Sequence, residues 1–247
     1  MKKLRWGLLS TARINRAVIP PIRSSLRSEL KAVASRDVVK AKEYARGWHI
    51  PHAYGSYEEL LADENIDVIY NPLPNHLHAE WSIRAAEAGK HVLCEKPLAL
   101  LVEEVDRMIA AARANNVVIT EAFMYKHHPQ TLKVLELSRQ GAIGELLLIK
   151  GAFTFNLDRP DDVRWIPEWG GGSIWDVGCY RSVLRASWQM PSRRKCLAGK
   201  SPARRVWTSC SADKCGSPAD RWHSSTAASA RHSGPRLRSS GRRARSS

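Results

Sequence analysis

The chain has 247 residues, of which 43% are hydrophobic and 26% charged, and a formal net charge of +15. That length holds one large domain or two small ones. The charge would suggest a polyanion partner, but residues 1–180 carry a net of +1 and residues 181–247 a net of +14, so it belongs to the C-terminal part and excludes little about the rest.

In chain order, Leu4 to Leu9 reads as a short strand, followed by a Ser/Thr turn and a helix from Ile14 to Leu26. Leu30 to Ser35 reads as strand and Lys40 to Trp48 as helix, and Ser56 is placed to cap a helix over Tyr57–Ala62. Asp67–Tyr70 is strand, His76–Ala88 helix, His91–Cys94 strand, Leu101–Asn115 helix and Val117–Thr120 strand. Strands alternating with helices of this length predict βαβ units and a doubly wound parallel sheet over 1–120. After Glu121 the pattern changes. Gln130–Arg139 is helical, and Glu145–Phe155 alternates like a long strand of an antiparallel sheet. Residues 121–180 therefore read as the start of a second, α+β domain. From Arg181 onward five residues are Val or Leu, none is Ile or Phe, and fifteen of 67 are Ser. Such a composition predicts a disordered basic tail.

The five cysteines contain no Cys-x-x-Cys pair, which argues against a zinc ribbon or a disulfide framework. No apolar run has transmembrane length, and the N-terminal one is too short for a secretion signal, so a cytoplasmic protein without a membrane partner is expected. His76 and His78 stand two apart with no further ligand set, and no metal is expected.

The first strand–helix turn, Gly7-Leu-Leu-Ser10-Thr11-Ala12 running on into Arg13 and Ile14, fits a dinucleotide site loosely. Gly7 suits the tight turn, Ser10 the close approach to a pyrophosphate, and Ala12 the helix–strand packing. An ordinary βα turn is the alternative. At the end of the second strand stand Ser35 and Arg36, with Asp37 one place on. An acidic residue there would bind a ribose hydroxyl of NAD, whereas Arg36 suits the 2′-phosphate of NADP. NADP is favoured, with NAD open. Pro72, Leu73 and Asn75 form a stiff loop before His78, suited to wall a nicotinamide ribose or simply to start a helix with Asn75 as its cap. Glu95-Lys96-Pro97 follows the strand ending at Cys94, which puts a lysine at the C-terminal mouth of the sheet, where open α/β sheets place ligands. Asp176 and Tyr180 are four apart, on one helix face.

The segments GLLSTARIN, YNPLPNHLH, CEKPL, EAFMYKHHP and GGGSIWDVGCY, in this order and spacing, resemble the Gfo/Idh/MocA oxidoreductase family. The tyrosine at 180 resembles the branch of glucose–fructose oxidoreductase, dihydrodiol dehydrogenase and NADP-dependent D-xylose dehydrogenase. The resemblance implies a Rossmann domain and a second domain on an open antiparallel sheet. It implies hydride transfer between a nicotinamide cofactor and a sugar or cyclic diol, and a homo-oligomer for the intact fold. Carried over, Lys96 would be the catalytic lysine, Tyr180 the acid/base and Asp176 a holder of the substrate hydroxyl. A cis bond at Pro97 is part of the pattern. A tyrosine is a poor base at neutral pH unless a cation such as Lys96 stabilises its phenolate.

After Tyr180 the resemblance stops, and a changed reading frame is the expected cause. Joining the last base of each codon to the first two of the next forces Ala at Trp188-Gln189 and at Met190-Pro191, and Asp at Trp207-Thr208. Permitted codons elsewhere let Met190 to Ser211 read AEPEEVFGWQVTGPTGVDELF, which has the strands and turns the written tail lacks. On this reading oligomerisation and activity of the written chain are in doubt. Two other classes stay open: a nucleic-acid or polyanion binder acting through the Arg/Ser-rich tail, and a catalytically silent dinucleotide binder.

Overall fold

The computed structural model describes residues 2–146 and 149–187. Six strands form one parallel sheet: β1 Leu4–Leu9, β2 Ser28–Ala34, β3 His52–Tyr54, β4 Val68–Asn71, β5 His91–Cys94 and β6 Ile119–Glu121. Their order is β3-β2-β1-β4-β5-β6, so the direction of winding reverses between β1 and β4. A crevice opens at the C-terminal ends of the strands at such a point. Helices α1 Asn15–Ser24, α2 Val38–Gly47, α3 Tyr57–Ala62, α4 His78–Glu87 and α5 Val102–Ala114 make the crossovers.

Successive strand residues point to opposite faces, and the core divides accordingly. Leu9, Ala34, Leu60, Ile69, Trp81 and Val92 pack on one face. Leu8, Ile19, Ile22, Val33, Ile50 and Tyr70 pack on the other. All four residues of β4 are buried, as a central parallel strand requires. Local signals set the helix starts. Ser56 Oγ accepts from Glu59 N at 3.1 Å at the head of α3, and Asp37 Oδ1 accepts from Val39 N at 2.9 Å at the head of α2. Arg5 and Asp67 clamp β1 to the start of β4: Arg5 Nε donates to Oδ2 at 2.9 Å and Nη2 to Oδ1 at 2.8 Å.

Several expected boundaries move. α1 ends at Ser24, not Leu26, and β2 starts at Ser28, ahead of Leu30. β3 was not expected at all. It has three residues, and its pairing with β2 rather than its own pattern makes it a strand. The larger correction concerns Glu145–Phe155. Residues 145, 146 and 149–155 adopt no strand. An alternating segment becomes a strand by pairing its backbone with a neighbour, and the described residues supply none.

Beyond β6 a 3₁₀ turn covers Met124–His127 and α6 runs Pro129–Arg139 with no buried residue. Two further 3₁₀ turns, Val163–Trp165 and Pro167–Trp169, precede a π-helical turn at Ile174–Gly178 that leads into α7, Cys179–Ser187. Residues 181–187, expected to open the disordered tail, are instead helical: they continue the turn begun at Ile174 as the body of α7. The expectations for residues 188–247, their disorder and their frame, lie outside the described residues.

Candidate active site

A cleft of about 950 Å³ lies over the C-terminal ends of the sheet and is walled on its far side by residues from 153 to 180. Its cofactor half begins at the β1–α1 turn. Ser10 has φ 73°, the left-handed conformation usually left to glycine. Asn15, fully buried, donates from Nδ2 to Ser10 O at 2.9 Å and so helps hold that turn. Ser10, Ala12, Arg13 and Ile14 line the cleft, joined by Arg16. Gly7 and Thr11 are not among the lining residues. Gly7 instead gives room for helix packing: a Cβ there would stand 2.9 Å from Leu60 Cδ1.

At the end of β2, Arg36 lines the cleft together with Tyr57, whose phenol feels its charge. Ser35 does not reach the lining; its Oγ accepts from Asp37 N at 3.3 Å. Asp37, the nearest carboxylate, is engaged in capping α2 and lies 3.8 Å from Lys40 Nζ. The carboxylate that would hold a ribose hydroxyl is thus occupied, and the arginine is left facing the cleft.

The loop after β4 brings Pro72, Leu73 and Asn75 to the lining. Asn75 is not a helix cap. Its Nδ2 donates to Gly170 O at 2.9 Å and ties the loop to the far wall. His78 is also among the lining residues, at the base of the cleft. Its side chain is fully buried, with Nδ1 2.7 Å from Pro97 O and Nε2 2.7 Å from Leu73 O. Burial lowers its pKa, and a neutral ring donates to one of these carbonyls only. His78 thus donates to one side and fills the space between the Leu73 loop and the Lys96-Pro97 corner, where the expected cis peptide is present.

The reactive half is built from β5 and the π-turn. Lys96 Nζ contacts Asp176 Oδ1 at 2.9 Å and also donates to the Asp176 carbonyl. The π-turn, in which Cys179 N bonds Ile174 O, keeps Asp176 and Tyr180 on the same side. Tyr180 lines the cleft, and its ring centroid lies 5.2 Å from Lys96 Nζ. The ammonium thus lies over the Tyr180 ring, and its hydrogen bonds go to Asp176. Burial first, then the charge of Glu95, pushes the Tyr180 phenol well above the ordinary tyrosine value. Phe123, Tyr125 and Phe153 surround the ring at centroid distances of 5.3, 5.6 and 5.7 Å. Glu95 is oriented by Tyr70, whose hydroxyl donates to it at 2.6 Å.

The sequence brought Lys96, Asp176 and Tyr180 forward, and the fold joins them across 80 residues. It did not reveal Tyr70 as the partner of Glu95, because a strand tyrosine reads as core. Nor did it reveal the pairing of Arg164 Nε with Asp176 Oδ2 at 3.0 Å. Among the described residues no group of three or more His, Cys, Asp or Glu side chains is placed to hold a metal, and no helix is long and apolar enough to cross a membrane.

A parallel sheet with its switch point under a basic, glycine-poor turn, and with lysine, aspartate and tyrosine at its mouth, has the architecture of the dinucleotide-binding Rossmann class. Residues 4–123 match the Gfo/Idh/MocA oxidoreductase family with its NAD-binding Rossmann fold. An uncharacterized oxidoreductase of Rhizobium meliloti is 47% identical over 182 residues, 73% of this chain and 54% of that one. The D-xylose 1-dehydrogenase (NADP(+)) 2 of Haloferax volcanii is 44% identical over 179 residues, 72% of this chain and 54% of its own. A crystal structure of the 3-ketoreductase KijD10 from Actinomadura kijaniata with NADP and TDP-benzene superposes with a TM-score of 0.68 at 35% identity, covering 72% of this chain and 55% of that one. The chain thus spans about half the length of the curated relatives it matches.

Proposed function

We propose that this chain carries the cofactor-binding and proton-transfer residues of an NADP-preferring oxidoreductase acting on a sugar or cyclic diol in the cytoplasm. The observation that carries the reading is the Lys96–Asp176 contact, made at the mouth of the sheet with Tyr180 on the same wall. The site fits a dinucleotide. The Ser10 turn, the pressed packing at Gly7, and three arginines on the lining, Arg13, Arg16 and Arg36, suit a polyphosphate. Arg36, with Asp37 engaged elsewhere, supports NADP, and so do the NADP named for the Haloferax relative and the NADP in the KijD10 complex. NAD stays the alternative. When bound, the nicotinamide gives or takes the hydride.

The chain's own residues do the rest. Tyr180 takes the proton of the substrate hydroxyl in oxidation and returns it in reduction. Lys96 and Asp176 hold that hydroxyl and set the charge around it. Phe153 and Phe155, both on the lining, offer apolar ring faces to a carbocyclic or sugar ring.

The relatives' remaining length is, on our reading, encoded here out of frame beyond Tyr180, and the DNA sequence across codons 180–190 decides that point. In a frame-restored protein, Lys96→Ala and Tyr180→Phe should each lower turnover by about 10²–10⁴-fold while cofactor affinity stays within a few fold. Near-full turnover in Tyr180→Phe would remove it as the proton carrier. A homo-oligomer is expected of that restored protein.

A further inference from the structure

Asp176 is held from two sides. Lys96 Nζ lies 2.9 Å from Oδ1 and Arg164 Nε lies 3.0 Å from Oδ2. Arg164 is itself fixed: its Nη1 lies 3.1 Å from Asp162 Oδ1, and Arg159 Nη2 lies 2.9 Å from Asp162 Oδ2. The result is a row of alternating charge, Lys96–Asp176–Arg164–Asp162–Arg159, from the end of β5 across the cleft wall. Both carboxylates are well shielded, at 14% exposure for Asp176 and 7% for Asp162, whereas Arg159 at the outer end is half exposed. Charges this shielded are screened little by salt and feel their neighbours strongly.

The consequence falls on Lys96. Coulomb terms add, so a second cation held on the same carboxylate offsets part of the attraction that the carboxylate exerts on the first. Lys96 also faces the Tyr180 ring, which Glu95, Cys179, Asp176 and Tyr125 surround with titratable groups. We propose that Arg164 is a positioning residue: by taking the second oxygen of Asp176, it leaves part of the Lys96 charge available to Tyr180. Asp162, anchored by Arg159, keeps the guanidinium edge-on to Asp176. This rests on the proton-transfer role given above to Lys96 and Tyr180.

The test is competitive acylation of the full chain with isotopically labelled acetic anhydride. Modification of Lys96 is read by mass spectrometry against exposed Lys42. Arg164→Met should slow acylation of Lys96 by about three- to tenfold, since Asp176 then holds the ammonium alone. Arg164→Gln should do the same, and Arg164→Lys should stay within about twofold of the parent. Asp176→Asn should speed the reaction, and adding Arg164→Met to it should change nothing further. A merely structural Arg164 would have the opposite sign, because loosening the wall exposes Lys96. Faster or unchanged acylation in Arg164→Met, or an effect that persists without Asp176, would overturn the proposal. The readout needs neither cofactor nor substrate, so its failure is separable from loss of the dehydrogenase reading.

Discussion

At the scale of single residues, the site depends on side chains whose surroundings change what they would otherwise do. Ser10 stands where a glycine is usual and adopts φ 73°, with Asn15 donating to its carbonyl. A left-handed non-glycine residue costs about 1–2 kcal/mol, and a β-branched one more. Ser10→Gly should therefore leave the unfolding free energy within about 0.5 kcal/mol, relief of strain offsetting the freedom gained by the unfolded chain. Ser10→Val should lose about 1–2 kcal/mol or more. Urea midpoints of the two variants check this, and a Val variant as stable as the parent would contradict the geometry. The sequence already made Ser10 a candidate through its place in the turn. What it could not show was the conformation, which depends on Asn15 reaching back five residues. Tyr180 was legible by spacing, but its raised pKa was not. That comes from burial and from Glu95, 85 positions away and itself aimed by Tyr70.

At the scale of elements, what was legible followed from local rules. α3 occupies Tyr57–Ala62 as its Ser56 cap predicts, and β5 runs His91–Cys94 as its apolar run predicts. The misses have non-local causes. β3 exists through its pairing with β2, and the alternating residues of 149–155 lack a described partner and so form no strand. The charge row from Arg159 to Lys96 joins segments far apart in sequence, and no spacing announces it. The Arg5–Asp67 clamp is of the same kind and carries a prediction. Hydrogen bonding from Arg5, against the cost of burial, holds the Asp67 carboxyl down to about 2. A depressed carboxyl contributes stability above its unfolded value of about 3.9 and loses it as pH falls through the folded value. The unfolding free energy should therefore drop by about 1 kcal/mol, after allowance for solvent screening, between about pH 4 and pH 2. Asp67→Asn should remove that component, and an unchanged acid limb in the variant would show that the clamp contributes nothing.

At the scale of the whole molecule, one cleft collects residues from both stretches of the chain. The sheet supplies the floor, from Ser10 to Lys96, and the region from Phe153 to Tyr180 supplies the wall. Hydrogen bonds from Asn75 to Gly170 and from Lys96 to Asp176 help fasten the two. The family match covers residues 4–123, the half in which alternating strands and helices are legible in the sequence. The second half was less readable because its order depends on contacts with the first. The central claim is that this cleft binds a nicotinamide dinucleotide and prefers the one with a 2′-phosphate. The direct measurement is a fluorescence titration of the chain with NADPH and NADH at one fixed ionic strength, repeated with Arg36→Ala. NADPH should bind at least about tenfold more tightly, as one charge-assisted arginine–phosphate contact allows, and Arg36→Ala should erase most of that difference. Equal affinities, a preference for NADH, or no binding of either would contradict the account.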